Sequence, residues 1–375
     1  MFDQMKKKLS YHVQSAIGQT VKKKIVVFES DDWGGIRMPS LQAFNHLAGK
    51  GIPVDKDCFS KFDSLASADD VSALFEVLSR HRDVNGNPAI FTFNVTTGNP
   101  DFEKIRKNRF TEFFTEPFFG TLERSRPGVL KLWKTGMQEK LMFPQYHGRE
   151  HVQQQRWLRS LREGERFALE AFEQGVFGIA PAFDKAEYYM AAYDYTEDVE
   201  DAYQRESIAA GLRIFQDFFG FTPRSFIPPC YIASDWLISL LNIRGVSALQ
   251  GKIIRLEPKG IVKGRRTYKR HYRCSGADPQ TGRVNLVRNC FFEPSSRPAY
   301  HWISDCLQRM EIAFAWNKPV IIDTHRLNYI GYLVESNRTE NLRLLNTLLT
   351  EMRKKWKDIE FMHSQQLADY YKEVL

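Results

Sequence analysis

The 375-residue sequence has no apolar run of the roughly 18 residues that a membrane-spanning helix needs, and its mean hydropathy is −0.43. Behind Lys6, Lys7 and Lys8 come Tyr11, His12, Gln14 and Gln19 rather than a continuous apolar stretch. A secretory signal is therefore not expected, and the chain is placed in the cytoplasm, with a peripheral position on the membrane left open. Cysteine is scarce: Cys58, Cys230, Cys274, Cys290 and Cys306 are an odd, scattered set without a C-x-x-C pair, and read as reduced, mostly packing thiols. No G-x-G-x-x-G or G-x-x-x-x-G-K-[ST] marks a phosphate crevice, no G-x-S-x-G marks a serine hydrolase, and no cysteine carries a local catalytic signature. No Pro/Gly/Ser-rich linker and no internal repeat divides the chain, which points to one large domain. With 26% charged and 43% apolar residues, wholesale disorder is excluded. The net charge of +8 is a mild excess over this length, favouring anionic partners without establishing nucleic-acid binding.

What is present is an alternation of short apolar runs and longer helical patterns. Residues 1–24 place Phe2, Met5, Leu9, Val13 and Ile17 at helical spacing between two lysine clusters, an amphipathic segment that either docks on the domain or lies on anionic lipid. Strand candidates follow at 25–28, 89–93, 142–146, 225–227, 246–249, 284–287, 320–322 and 359–362, and helical patterns at 41–47, 152–163, 206–219, 234–243, 300–316 and 338–356. Strand and helix in turn imply parallel βαβ units, and seven or eight strands suggest a barrel more than an open doubly wound sheet. The expected organisation is an N-terminal helical segment, 1–24, and a barrel domain, 25–375, with an insertion at about 164–205. The insertion's rings (Phe167, Phe172, Phe177, Phe183, Tyr188, Tyr189, Tyr193 and Tyr195) read as core before they read as a sugar platform.

In a parallel barrel the chemistry sits where strands end. The first strand runs into Asp31-Asp32-Trp33-Gly34, adjacent carboxylates whose repulsion calls for a cation or a shared proton, although such a pair alone is most often a solvated turn. The third ends in His147-Gly148-Arg149-Glu150-His151, imidazoles at i and i+4 that would share one face of a helical turn capped by Gly148, a spacing that suits zinc. A later strand ends in Asp323-Thr324-His325, and Ile227-Pro228-Pro229-Cys230-Tyr231 forms a stiff turn.

In this order, over about residues 24 to 370, these pieces resemble the polysaccharide deacetylase family, carbohydrate esterase family 4. The resemblance implies an α/β fold, a distorted (β/α)7-type barrel with insertions in a single large domain. It implies Asp31 as general base, His325 as general acid, and Asp32, His147 and His151 as ligands of a divalent metal; zinc is favoured, and cobalt, nickel or iron would fit the same donors. Pro229, Tyr231 and Trp33 fall at the substrate, and a backbone N–H near Tyr231 would stabilise the oxyanion. Ile227 stands where the family's motif has Arg, so a positive partner for Asp31 must come from Arg224, Arg288 or Arg326. The family's Asp- and Trp-rich fourth motif has no clear copy; Leu249-Gln250-Gly251-Lys252 stands in its place.

The implied activity is hydrolytic removal of an acetyl group from an N- or O-acetylated sugar or glycan. Alternatives are a catalytically altered carbohydrate-binding relative and a barrel glycosidase. The basic run 263–273, with Tyr268 and Tyr272 among its cations, reads first as a solvated β-hairpin, next as a site for an anionic substrate or lipid head group, and last as a nucleic-acid contact. Together with the lysine-flanked 1–24 segment it suggests an anionic activated or lipid-linked sugar at a membrane surface. Nothing in the sequence sets an oligomeric state.

Overall fold

The computed structural model describes residues 2–179, 189–195, 198–263 and 265–375. Eight strands carry the architecture: β1 (Lys24–Trp33), β2 (Phe91–Val95), β3 (Met142–Tyr146), β4 (Ser225–Phe226), β5 (Ala248–Gly251), β6 (Val284–Val287), β7 (Cys290–Phe291) and β8 (Val320–His325). They pair in parallel in the order β6, β5, β4, β3, β2, β1, β8, β7. Only Arg288 and Asn289 separate β6 from β7, so the two ends of the sheet meet. The Arg288 amide donates to the Gly251 carbonyl (2.8 Å) and the Asn289 amide to that of Ile321 (3.2 Å), so β6 and β7 act as one interrupted strand. The result is a distorted (β/α)7-type barrel with insertions.

Because helices cover the sheet, its strands are apolar without alternation. Val26, Val27, Phe28, Val320, Ile321 and Ile322 are all fully buried. The prolines at 228 and 229 stop β4 after two residues, since proline offers no N–H to a ladder. Helices start where hydroxyl side chains cap them: Ser67 with Asp70 forms a capping box for Ala68–Ser79, and Ser234 caps Asp235–Ile243. The helical pattern expected from 206 begins earlier, giving Asp198–Phe219. This helix crosses β3 so closely that a Cβ on Gly211 would lie 2.2 Å from the Tyr146 hydroxyl, so only glycine fits there.

The N-terminal helix, Phe2–Ala16, rests on the helix Trp302–Ala315: the Tyr11 hydroxyl donates to Asp305 (2.9 Å) and the Arg309 guanidinium lies 3.8 Å from the Tyr11 ring. Leu9, Val13 and Ile17 on its outer side remain exposed. The basic run forms an antiparallel hairpin of Ile254–Val262 and Arg265–Tyr272, outside the barrel sheet. In the insertion, Phe172, Phe177, Tyr189 and Tyr193 are buried as core; Phe183 and Tyr188 lie outside the described residues.

Candidate active site and metal centre

Successive strand residues point to opposite faces, so a regular β1 would aim Asp31 and Asp32 apart. The register of β1 against β2 shifts between Ser30 and Trp33, and Asp32 takes φ 74°, a left-handed conformation uncommon outside glycine. That bulge turns both carboxylates into one cavity of about 360 Å³ at the C-terminal ends of the strands, also lined by His147, His151 and His325. The strain is concentrated at a chemical site, where such strain tends to be kept.

His147 and His151 do not lie on a helical turn. Residues 147–153 run as a loop, Gly148 has φ 93°, and the helix Gln154–Arg162 is capped by Gln153. The loop nevertheless brings both imidazole Nε2 atoms to the same oxygen: Asp32 Oδ1 is 3.3 Å from that of His147 and 3.5 Å from that of His151. His147 Nδ1 lies 2.8 Å from the Ile227 carbonyl, which requires a donor, so Nε2 is the ring nitrogen left to face the carboxylate oxygen and to serve as a metal ligand. Burial holds His151 down to about 3, against the pull of Asp32, so this ring is neutral, and its Nδ1 has no hydrogen-bond partner among the described residues. Acceptors crowded around one point suit a cation. Two metal–donor bonds of about 2.1 Å at the tetrahedral angle would put their donors about 3.4 Å apart, close to the spacing found here. The residues fit a divalent ion, with the Ile227 carbonyl orienting one ligand from behind.

Asp32 Oδ2 accepts from Arg37 (3.1 Å), which also reaches Asp63, itself clamped by Arg326 through two bonds of 2.9 and 3.0 Å. Burial would raise Asp32, but Arg37 first, then the His147 hydrogen bond and the charge of His325, hold it well below the usual carboxylate range.

Arg288 supplies the missing cation at Asp31. It crosses the seam between β6 and β7 and donates from NH1 to Asp31 Oδ2 (2.8 Å) and from NH2 to Asp31 Oδ1 (2.6 Å). The same guanidinium donates to Glu29 (2.7 Å) and Asp323. Asn94 Nδ2 adds a bond to Asp31 Oδ1 (2.7 Å) and exchanges amide hydrogen bonds with Gln250, which donates on to Ser225. Burial pushes Asp31 up, but Arg288, with His147 and His325, brings it down to about 2. Glu29, buried deeper, is raised to about 7 by desolvation despite Arg288. Of the three arginines that could have served, Arg224 and Arg326 do not reach Asp31: Arg326 belongs to Asp63.

His325 faces Asp31 across 3.8 Å and pairs through Nδ1 with Glu293 Oε1 (2.5 Å), which Asn328 steadies at 2.7 Å. Burial would lower His325, but Glu293, Asp31 and Asp323 raise it to about 10. Glu293 thus orients His325, and no residue of Leu249–Lys252 does so. Its only signal in the sequence is the short apolar run Cys290-Phe291-Phe292 ending in an acid.

Three expected contacts fall differently. Trp33 is core: it stacks on Phe93 at 3.6 Å, meets Trp133 edge-on, donates to Ser30, and does not line the cavity. It sits beyond the bulge, which reverses its side. Pro229 is buried, and Pro228, Cys230 and Tyr231 line the cavity instead. The Tyr231 amide is spent on the Pro228 carbonyl (2.9 Å), so it is no free oxyanion donor. Tyr231 does contribute its hydroxyl to Asp323 (3.2 Å) and its ring to Lys252, whose Nζ lies 4.4 Å from the ring centre.

Fold and site together define a parallel barrel with three potential metal donors and a carboxylate–imidazole pair, Asp31 and His325, at the C-terminal ends of its strands. No family model and no curated protein matches the chain. Among solved structures it is similar to a probable polysaccharide deacetylase from Pseudomonas aeruginosa PAO1, with 10% identity, TM-score 0.47, and 94% of this chain and 92% of that one covered. It is similar to a putative polysaccharide deacetylase from Mycobacterium smegmatis, with 11% identity, TM-score 0.44, and 96% and 93% covered. It is also similar to 4-alpha-glucanotransferase from Thermococcus litoralis, with 6% identity, TM-score 0.46 and 92% of this chain covered, but the chain spans only 40% of that protein's length. Likenesses of this size assign no functional residue, and the site itself is what supports a function.

Proposed function

We propose that the chain is a metal-dependent hydrolase that removes the acetyl group of an N-acetylated sugar. One observation carries the reading: Asp32, His147 and His151 converge on a single point beside a carboxylate held ionised, Asp31, and an imidazole held protonated, His325. Such opposed protonation states are what a base and an acid need before the reaction begins. A divalent ion bound by the three donors, with zinc favoured, would acidify water and polarise the amide carbonyl.

Asp31 then receives the proton of the attacking water, oriented by Arg288 and Asn94 on its two oxygens. His325, held by Glu293, delivers a proton to the departing amine. A backbone donor for the developing oxyanion would come from the turn at Cys230, which lines the cavity. Phe59, Phe177 and Met190 wall the cavity and exclude water. Lys252 lines the same cavity without an acidic partner among the described residues, which favours a substrate with a negative group, such as an activated sugar. A glycosidase is less well served: it needs a carboxylic acid kept protonated, and both buried carboxylates lining the cavity are held ionised.

The test is metal content of the purified protein together with acetate release from a panel of N-acetylated glycans and sugar nucleotides. His147→Ala and His151→Ala should each lose the metal and the activity. Metal retained in both variants at the wild-type level overturns the site, and silence across the panel with zinc or cobalt added turns the reading towards a carbohydrate-binding relative.

A further inference from the structure

The hairpin of Ile254–Val262 and Arg265–Tyr272 has no task in the reaction, yet it leaves the barrel beside the cavity. It follows β5, whose C-terminal neighbour Lys252 lines the cavity, and the Leu256 carbonyl accepts from the Ala233 amide (3.0 Å), just past the Pro229–Tyr231 turn. Tyr268 donates to Asp194 (2.8 Å), which also takes Arg156 of the helix following His151. The hairpin is therefore anchored to segments that follow the cavity-lining residues His151, Tyr231 and Lys252, without lining the cavity itself.

Its base is neutralised internally. Arg255 pairs with Asp235, and Glu257 takes both His271 (2.7 Å) and Lys259 (2.9 Å). Four further cations are not. Lys263, Arg265, Lys269 and Arg270 are exposed and have no acidic partner among the described residues. Lys263 and Arg265 adjoin the tip, where Ile261 is 57% and Val262 55% exposed; Lys269 and Arg270 stand lower, opposite Glu257 and Leu256, near Tyr272, which is 73% exposed. Aliphatic side chains offered to water at the end of a basic hairpin cost free energy in solution, and they gain it back where an apolar layer lies beneath a negative surface. A nucleic-acid site would instead place rings among the cations for bases to stack on. Here the tip carries none, Tyr268 is occupied by Asp194, and the one exposed ring among the described residues of the hairpin, Tyr272, stands at its base, away from Ile261 and Val262.

We infer that this hairpin docks the open rim of the barrel on an anionic lipid bilayer, with Ile261 and Val262 entering the head-group layer and the four free cations meeting lipid phosphates. The surface needs no catalysis to be tested, so its failure and the failure of the deacetylase reading are separate results.

The experiment is co-sedimentation of the full chain with vesicles of phosphatidylcholine alone and of phosphatidylcholine with phosphatidylglycerol, at low and high salt. Each cation near a charged surface multiplies partition by about fivefold before screening, so replacing Lys263, Arg265, Lys269 and Arg270 together by Gln should lower partition onto anionic vesicles by roughly tenfold or more. Ile261→Ser with Val262→Ser should weaken binding on the same vesicles and leave acetate release from water-soluble substrates unchanged. Leu9→Ser with Val13→Ser on the N-terminal helix should leave vesicle binding as in the wild type. Equal partition onto neutral and anionic vesicles overturns the inference, as does binding lost only in the N-terminal pair. A polynucleotide that binds the hairpin through its cations, with no effect of the Ile261 and Val262 changes on any partner, replaces the lipid by nucleic acid.

Discussion

Replacing Arg288 by Met tests the electrostatic centre of the barrel. The guanidinium is fully buried and is shared by Glu29, Asp31 and Asp323. Methionine would keep much of the volume and remove the charge, leaving three carboxyl groups in a space with little else to hold them ionised. Breaking one buried pair costs about 3–5 kcal/mol, and Arg288 serves several partners, so the upper end applies at pH 8. At about 2.1 cal per mol per K per residue the unfolding entropy of a chain this long is about 0.8 kcal/mol per K, which makes the expected loss in Tm about 6 °C. The deficit should shrink towards pH 5. In the wild type, Asp31 is held at about 2, below its unfolded value, so it adds stability that is present above that unfolded value and is lost as pH falls through 2. In the variant burial is opposed only by Asn94 and the imidazoles of His147 and His325, so the Asp31 pKa should rise above the unfolded value and the carboxyl fold best when protonated. Thermal melts at pH 5 and pH 8 read the effect, and the acid limb of acetate release should move to higher pH. Arg288→Lys should fall between, keeping the charge without the fork. A variant that melts within a degree of the wild type at pH 8, or with the same deficit at both pH values, would refute this account.

Glu29→Gln should flatten the stability profile on the alkaline side. Glu29 is raised to about 7 in the fold, so its contribution is complete below its unfolded value and is lost as pH rises through 7; the variant should gain Tm relative to the wild type at pH 8 and not at pH 4. Glu293→Gln should lower the His325 pKa from about 10, moving the alkaline limb of activity to lower pH, and should destabilise more at pH 6 than near pH 10, where the wild type also loses the pair. Trp33→Ala removes a stacked core ring at a cost of about 3–5 kcal/mol in urea unfolding, but should leave KM unchanged, whereas a ring touching the substrate would raise KM.

How much of this was legible in the sequence follows from which interactions are local. Apolar runs of four or five residues mark the strands, because a parallel strand buried on both faces has no polar alternation to show, and the helices between them are marked by their period and their caps. Asp31, Asp32, His147, His151 and His325 could be picked out because each follows such a run, where a barrel places its chemistry. What period and spacing cannot state is conformation at one bond or partnership across hundreds of residues. The left-handed turn at Asp32 faces both acids inward and sends Trp33 into the core, against what an unbroken strand would do. The loop at 147–151 joins His147 and His151 by tertiary packing rather than by helical spacing. The cation at Asp31 was narrowed to three arginines and decided only by ring closure, which carries Arg288 across the seam to a residue 257 positions away. Glu293, Asn94 and Arg37 pass unnoticed in the chain, since a charge has no period and declares its role only when its partner is within hydrogen-bond reach.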